Sequence, residues 1–143
     1  MELDDPAVLA AVSDAMSVLG DRWSLAIIAA LLGGPRRYGE LQGRLPGIAP
    51  NVLSGRLKRL EHEGLILATP YSEHPPRVQY ALTGDAHELS DLLALLASWG
   101  ARTSRGETAP LHSACGAPLE VRWWCPACAE PARPEYGDAE IRV

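Results

Sequence analysis

A chain of 143 residues with 47% hydrophobic side chains is one domain's worth of protein with a small appendage, and it can bury a modest core. No cleavable leader and no apolar run of bilayer length is visible, so a soluble, cytoplasmic protein with no membrane partner is expected. The net charge of −5 divides unevenly: Gly34 to Tyr80 holds seven Arg/Lys against four Asp/Glu, a local +3 that leaves −8 on the remainder, which points to a nucleic-acid-facing middle on an acidic body.

In chain order, Leu9, Val12, Met16 and Leu19 recur at helical spacing over 6–19, and Gly20 stops that helix. Asp21 suits the N-cap of a second helix running to Leu32, apolar almost all round and therefore expected at the centre of the core. Tyr38, Leu41 and Leu45 form the stripe of a short third helix, broken by Pro46-Gly47. Pro50, with φ already set for a first helical position, opens a fourth helix over 50–63 that turns Leu53, Leu57 and Leu60 inward and ends at Gly64. Two amphipathic helices joined by a tight Gly-containing turn read as helix-turn-helix. Strand-like runs over 65–71 and 77–82 flank Ser72-Glu73-His74-Pro75-Pro76, which reads as a wing. A long helix is then expected over 83–102, with Leu89, Leu92, Leu93, Leu96 and Trp99 at 3–4 spacing. Its apolar surface exceeds what a small domain can cover, which suggests a partner helix from a second copy. Polar residues over 103–110 read as a linker, and 130–143, rich in Pro and charge, as poorly ordered.

With its leucines inward, the fourth helix presents Asn51, Ser54, Gly55, Lys58 and Arg59 outward. Asn can pair bidentately with adenine, Ser is an adaptable donor, Gly permits close approach, and Lys and Arg neutralise phosphates. Asn51 and Ser54, nearer the N-terminus, are the expected base readers, with Lys58 and Arg59 on the backbone. For each residue alone, a solvated helix face is an equal reading. Arg36, Arg37 and Tyr38 precede the third helix, where a winged domain meets phosphate. Arg77 at the foot of the wing faces phosphate or a minor groove, or else pairs with Glu73.

Gly20-Asp21-Arg22-Trp23, Gly34-Pro35-Arg36-Arg37-Tyr38-Gly39-Glu40-Leu41 and Leu53-Ser54-Gly55-Arg56-Leu57-Lys58-Arg59-Leu60 resemble HxlR-type regulators, relatives of the MarR group. Glu63-Gly64-Leu65 matches as well, as do Tyr71, Pro75-Pro76-Arg77-Val78, Tyr80 and Leu82-Thr83 of the wing, and Trp99-Gly100 near the end of the last helix. The resemblance spans about residues 9–102. It implies a homodimeric winged-helix repressor or activator on double-stranded DNA whose first and last helices build the dimer interface. Two positions depart from the pattern. Ala10 stands where many members carry a sensing cysteine, and the usual glycine after the wing's threonine is displaced to Gly84, leaving Ala86 near its place.

His112-x2-Cys115-Gly116 and Cys125-Pro126-Ala127-Cys128, nine residues apart, have the form of a zinc ribbon over 111–129. Two residues between ligands let one turn present both to a single ion, and the alternating Leu119, Val121 and Trp123 suggest a hairpin joining the knuckles. Four protein ligands would make the zinc structural, and the short segment needs such help to fold. Three free thiols, or one disulfide and a spare, is the competing reading. The odd cysteine count argues against a disulfide framework.

The expected architecture is mainly α (α+β): a winged helix-turn-helix with a long C-terminal dimerisation helix and a small zinc-ribbon-like tail. The other histidines, His62, His74 and His87, have no nucleophile and orienting acid beside them, and no phosphate-binding glycine loop is present, so an enzyme is not expected. The rival reading is a protein-interaction module of the transcription machinery. A small-molecule effector could lodge near Trp23, Leu92 and Trp99, which are equally good core residues.

Overall fold

The computed structural model describes residues 4–103, 111–119 and 123–132. Helix α1 (Pro6–Leu19) starts on Asp5, whose Oδ1 accepts the Ala7 N–H at 2.7 Å, and stops at Gly20, whose N–H donates to the Met16 carbonyl at 2.8 Å. A side chain at Gly20 would sit 2.2 Å from that carbonyl oxygen, so the turn admits glycine alone. Then follow α2 (Arg22–Leu31), β1 (Arg36–Arg37), α3 (Tyr38–Arg44), α4 (Pro50–His62), β2 (Ile66–Glu73), β3 (Pro76–Leu82), α5 (Gly84–His87) and α6 (Ser90–Thr103). A small hairpin, β4 (Trp123–Cys125) with β5 (Glu130–Ala132), belongs to the tail.

The core forms where α2, α3 and α4 meet. Ile27, Ile28, Leu31, Leu41, Leu53, Leu57 and Leu60 are essentially sealed from solvent, with Ile66 of the sheet closing one side. Helix α2 is the buried centre that its apolar composition predicts. The sheet has the order β1-β3-β2, both pairings antiparallel. Leu93 of α6 and Leu89, just before that helix, pack against this core only partly buried.

The structure departs from or adds to the sequence reading at three places. The helix expected over 83–102 is two helices. The N–H groups of Glu88 and Leu89 bond back three residues, to Asp85 and Ala86, which tightens the turn and breaks the α ladder before Ser90. The two-residue strand β1 has no counterpart in the sequence reading, because two arginines carry no periodicity. In the tail, β4 pairs with β5, whose residues Glu130–Ala132 open the stretch expected to be poorly ordered. Thr103 belongs to α6, while the rest of the expected linker, residues 120–122 of the expected hairpin and residues 133–143 lie outside the described residues.

Ala86, where the family resemblance expects glycine, is fully buried, so its methyl is part of the packing. Helix α1 is less embedded. Leu19 is buried, but Leu9, Val12 and Met16 remain 55%, 54% and 45% exposed, an apolar stripe that the described fold leaves open.

Asp21 ties the helices together. Its Oδ1 accepts the N–H groups of Trp23 and Ser24 at 3.0 Å each, and the buried Ser24 hydroxyl donates to Oδ2 at 2.5 Å. Arg56 of α4 brings Nε to 3.1 Å from Oδ1 without hydrogen-bond alignment, a Coulombic contact between two partly exposed groups and a weak one by itself. Partial burial pushes the Asp21 carboxyl up. The Ser24 hydroxyl, the two N–H groups and Arg56 outweigh it and hold the carboxyl below its ordinary value. Removing the cap with Asp21→Ala is expected to destabilise the fold by about 1 kcal/mol. A lowered carboxyl stabilises fully above its unfolded value of 3.8, and that contribution fades as pH falls through the lower folded value. Urea unfolding of both proteins should therefore show a wide gap at neutral pH that narrows below pH 3.8. An unchanged gap would assign the effect to packing instead.

Candidate nucleic-acid interface

The turn between α3 and α4 is set by Gly47, at φ +85°, and by the Ile48 N–H, which donates to the Leu45 carbonyl at 3.2 Å. Leu45 and Ile48 are both buried, so the turn is anchored in the core rather than hung from it. Pro50 occupies the first turn of α4, and Leu53 closes the first bond, to Ala49, at 3.0 Å. Ala49 at the N-cap has no side-chain acceptor, so the positive end of this helix stays open to an anion.

With Leu53, Leu57 and Leu60 buried, α4 exposes Asn51, Ser54, Gly55, Lys58 and Arg59, the arc read from the sequence. Among the described residues, Asn51 and Lys58 make no side-chain hydrogen bond or ion pair. Ser54 lies 3.4 Å from the Tyr38 hydroxyl, which donates to the Pro50 carbonyl at 2.9 Å. Tyr38 thus pins the start of α3 to the first turn of α4, a positioning task added to its expected place near phosphate. Arg59 is engaged as well: its Nη2 donates to the Ser17 carbonyl in the last turn of α1.

Nothing in the fold demands glycine at position 55. A Cβ there would meet no atom within 4 Å, and the residue is exposed in mid-helix. Glycine weakens such a position relative to alanine. What it provides is a flat patch in the middle of the arc.

Arg36 and Arg37 take different parts. The Arg36 side chain is half-buried, and its Nε donates to the Ala30 carbonyl near the end of α2 at 2.8 Å, closing that helix. Arg37 stays exposed: its N–H donates to Glu40 Oε2 at 2.7 Å, and its guanidinium lies 4.3 Å above the Tyr71 ring. Arg37, Tyr38, Glu40, Tyr71 and Arg77 line a cleft of about 470 Å³ between the start of α3 and the wing. Arg77 is exposed, and the Glu73 side chain of its expected alternative pairing lies outside the described residues. Tyr71 was absent from the expected site residues. A tyrosine in a strand run carries no signal until strand register is known.

In the tail, each expected ligand pair comes together locally. His112 Nδ1 is 3.2 Å from Cys115 Sγ, and the N–H groups of Cys115 and Gly116 both turn back to the His112 carbonyl, Gly116 at φ +70°. At the second turn, the Cys128 N–H, the Cys128 thiol and the Ala127 N–H bond to Cys125 and draw its thiol below the ordinary value. All three cysteines are free thiols. The four expected ligands are not gathered into one cluster: among the described residues no group of three or more His, Cys, Asp or Glu is placed to hold a metal ion. Trp23 packs on the core with Arg22 at 4.4 Å from its ring, whereas Leu92 and Trp99 are exposed on α6.

Gly55→Ala is expected to raise stability by about 0.4–1 kcal/mol in urea unfolding while lowering affinity for duplex DNA. A variant that is more stable and binds as well as wild type would remove Gly55 from the interface.

Comparison with known proteins places this geometry. Residues 18–107 match the HxlR-like helix-turn-helix family. An uncharacterised HTH-type transcriptional regulator of Mycobacterium tuberculosis is 36% identical over 123 residues, covering 83% of this chain and 77% of its own. The crystal structure of a MarR-family regulator from Porphyromonas gingivalis superposes with a TM-score of 0.60 at 33% identity, over 70% of this chain and 93% of that one. The reduced form of YodB, a transcriptional regulator of Bacillus subtilis, gives a TM-score of 0.57 at 29% identity, over 72% of this chain and 97% of that one. The family match ends before His112, so the cysteine tail lies beyond it.

Proposed function

The chain belongs to the HxlR-like helix-turn-helix family, and from that premise we propose that it regulates transcription as a homodimer, reading an inverted-repeat operator with α4 of each copy. The family is one of DNA-binding transcriptional regulators, not enzymes. The observation that carries the reading is the exposed arc of Asn51, Ser54, Gly55 and Lys58 on a helix whose opposite face is locked into the core. Asn51 and Ser54 are the base readers. Lys58, Arg37 and Arg77 hold the phosphate backbone, and Arg59 adds to them from the α1 side. No helix among the described residues is long and apolar enough to cross a membrane, and a regulator of transcription would act where its DNA is, in the cytoplasm.

Homodimerisation is supported by the open apolar faces. Leu9, Val12 and Met16 on α1 and Leu92 and Leu96 on α6 are all exposed, and a second copy would cover them. A small-molecule effector would then reach the exposed side of α6 near Trp99 at the edge of that interface.

We also propose a structural zinc ion held by His112, Cys115, Cys125 and Cys128. The local form of both turns supports it: each presents two donors of the right type, and the second directs N–H groups at a thiol sulfur, which favours its thiolate form. Closing one site requires the two turns to approach each other, since they stand as separate pairs. Four protein donors would leave no open position, so the ion would stabilise the tail and do no chemistry.

Three measurements test these readings. In gel shifts, affinity for an inverted repeat with half-sites about one helical turn apart should fall steeply with salt. Asn51→Ala should weaken operator binding by about 1–3 kcal/mol more than random-sequence binding, and Lys58→Ala should weaken both alike. Sedimentation should show a dimer that Val12→Asp dissociates, and salt-independent binding or a wild-type monomer would contradict the proposal. For the tail, metal analysis of protein purified under reducing conditions should find one zinc per chain, and none in a chain ending at Arg105. Metal-free protein with an ordered tail would sink the zinc reading.

A further inference from the structure

Tyr71 sits at a fault in the sheet. Pro70 pairs with Val78 and Ser72 with Arg77, so Tyr71 is the extra residue of a β-bulge. Bulges re-aim a side chain at the point where a strand bends. Here the ring is aimed across the neighbouring strand. Strand β1, which carries Arg37, lies on the far side of β3 from β2, and two strand spacings span roughly 10 Å. Only two long side chains reaching toward each other close that gap, and they meet with the Arg37 guanidinium 4.3 Å over the ring.

The stack has a chemical consequence. A guanidinium stacked on an aromatic ring uses its π face and keeps its N–H donors in plane for a second partner. It also loses rotamer freedom before any ligand arrives, which lowers the entropy cost of binding. Arg77, the residue paired next to the bulge, brings a second guanidinium to the same cleft. Among the described side chains Glu40 is the one carboxylate on the lining, and one of its oxygens is occupied by the Arg37 N–H, so two cations there face one anion. A concave site of about 470 Å³ with a surplus positive charge and a pre-set planar fork suits a phosphate.

We propose that Tyr71 is a positioning residue for DNA binding: its ring holds Arg37 over the cleft, where Arg37 and Arg77 close on one backbone phosphate. The clamp joins the start of α3 to the wing, so the wing's approach to the duplex is set by the same phosphate that seats the helix-turn-helix. This inference rests on the DNA reading above and goes beyond it by assigning a role to a residue that need not touch DNA.

Gel shifts across a salt series separate the two. Arg37→Ala should lower the slope of log affinity against log salt by about one per protomer. Tyr71→Ala should weaken binding about two- to fivefold per protomer, the range of an exposed cation–π contact, while Tyr71→Phe, which keeps the ring, should match wild type. In an Arg37→Ala background, Tyr71→Ala should add no further loss, because Tyr71 acts through Arg37. A scan of duplexes with single methylphosphonate linkages completes the test: one neutral linkage per half-site should cost the wild type more than Arg37→Ala does, cost Arg37→Ala protein only the remaining Arg77 share, and leave the Arg37→Ala, Arg77→Ala double variant unaffected. Additive losses, or no linkage that behaves this way, in a protein that does bind DNA would overturn the clamp and leave the DNA reading standing. Wild-type protein that binds no duplex would overturn both.

Discussion

The carboxylate of Asp21 is the point on which the geometry of this domain turns. It caps the most buried helix, satisfies the one buried polar side chain among the described residues, Ser24, and faces the Arg56 guanidinium on α4. No single one of these contacts is strong, and the partly exposed ion pair is weaker than the cap. Their value lies in converging on two oxygens. The start of α2 and the middle of α4 are referenced to one group, so the helix that faces solvent inherits its orientation from the helix most embedded in the core. Tyr38 does the same from the other side, bonding the Pro50 carbonyl where α4 begins. An interface that must match a groove to within a fraction of a helix width is built on two such fixed points.

Much of this was legible in the sequence because the signals are local. Pro50 and Gly64 bracket α4, and Gly64 does take the left-handed conformation its place predicts, at φ +72°. The leucine spacing of α4 assigns its inner and outer faces without reference to any other element. Gly20 and Asp21 mark the boundary between α1 and α2 for equally local reasons. What the sequence hid is relational. Strand β1 exists because β3 offers it an edge, and two arginines cannot announce that. Tyr71 becomes a site residue only through a register shift between β2 and β3. Arg36 and Arg59 look alike on paper to Arg37 and Lys58, yet each is drawn to a helix-end carbonyl, which no charge pattern foretells. In the tail the two ligand-like turns form as their spacing suggests, and β4 finds its partner at Glu130–Ala132, which no alternation announces.

The division of labour between the core and the open faces has a thermodynamic side. The three-helix centre is sealed, while α1 and the outer side of α6 leave several large apolar groups in water. Apolar surface held open in this way is stabilised by whatever covers it, so apparent stability would depend on protein concentration if a second copy does the covering. Fold stability and assembly would then be read by the same unfolding curve.

Arg59 sits on α4, in the outward arc, but its guanidinium is bonded to the carbonyl of Ser17 at the end of α1. A guanidinium has five N–H donors and Ser17 occupies only some of its reach, so one side chain spans the seam between the helix with the open apolar stripe and the helix that faces outward. Linkage at such a seam is reciprocal: a change in the last turn of α1 that alters the Arg59 contact would change what α4 can bind, and an anion that recruited Arg59 would change α1 by the same free energy. If Arg59 takes part in binding, it would act as a mechanical coupling, the place where a tilt of one helix is felt as a change of affinity in the other.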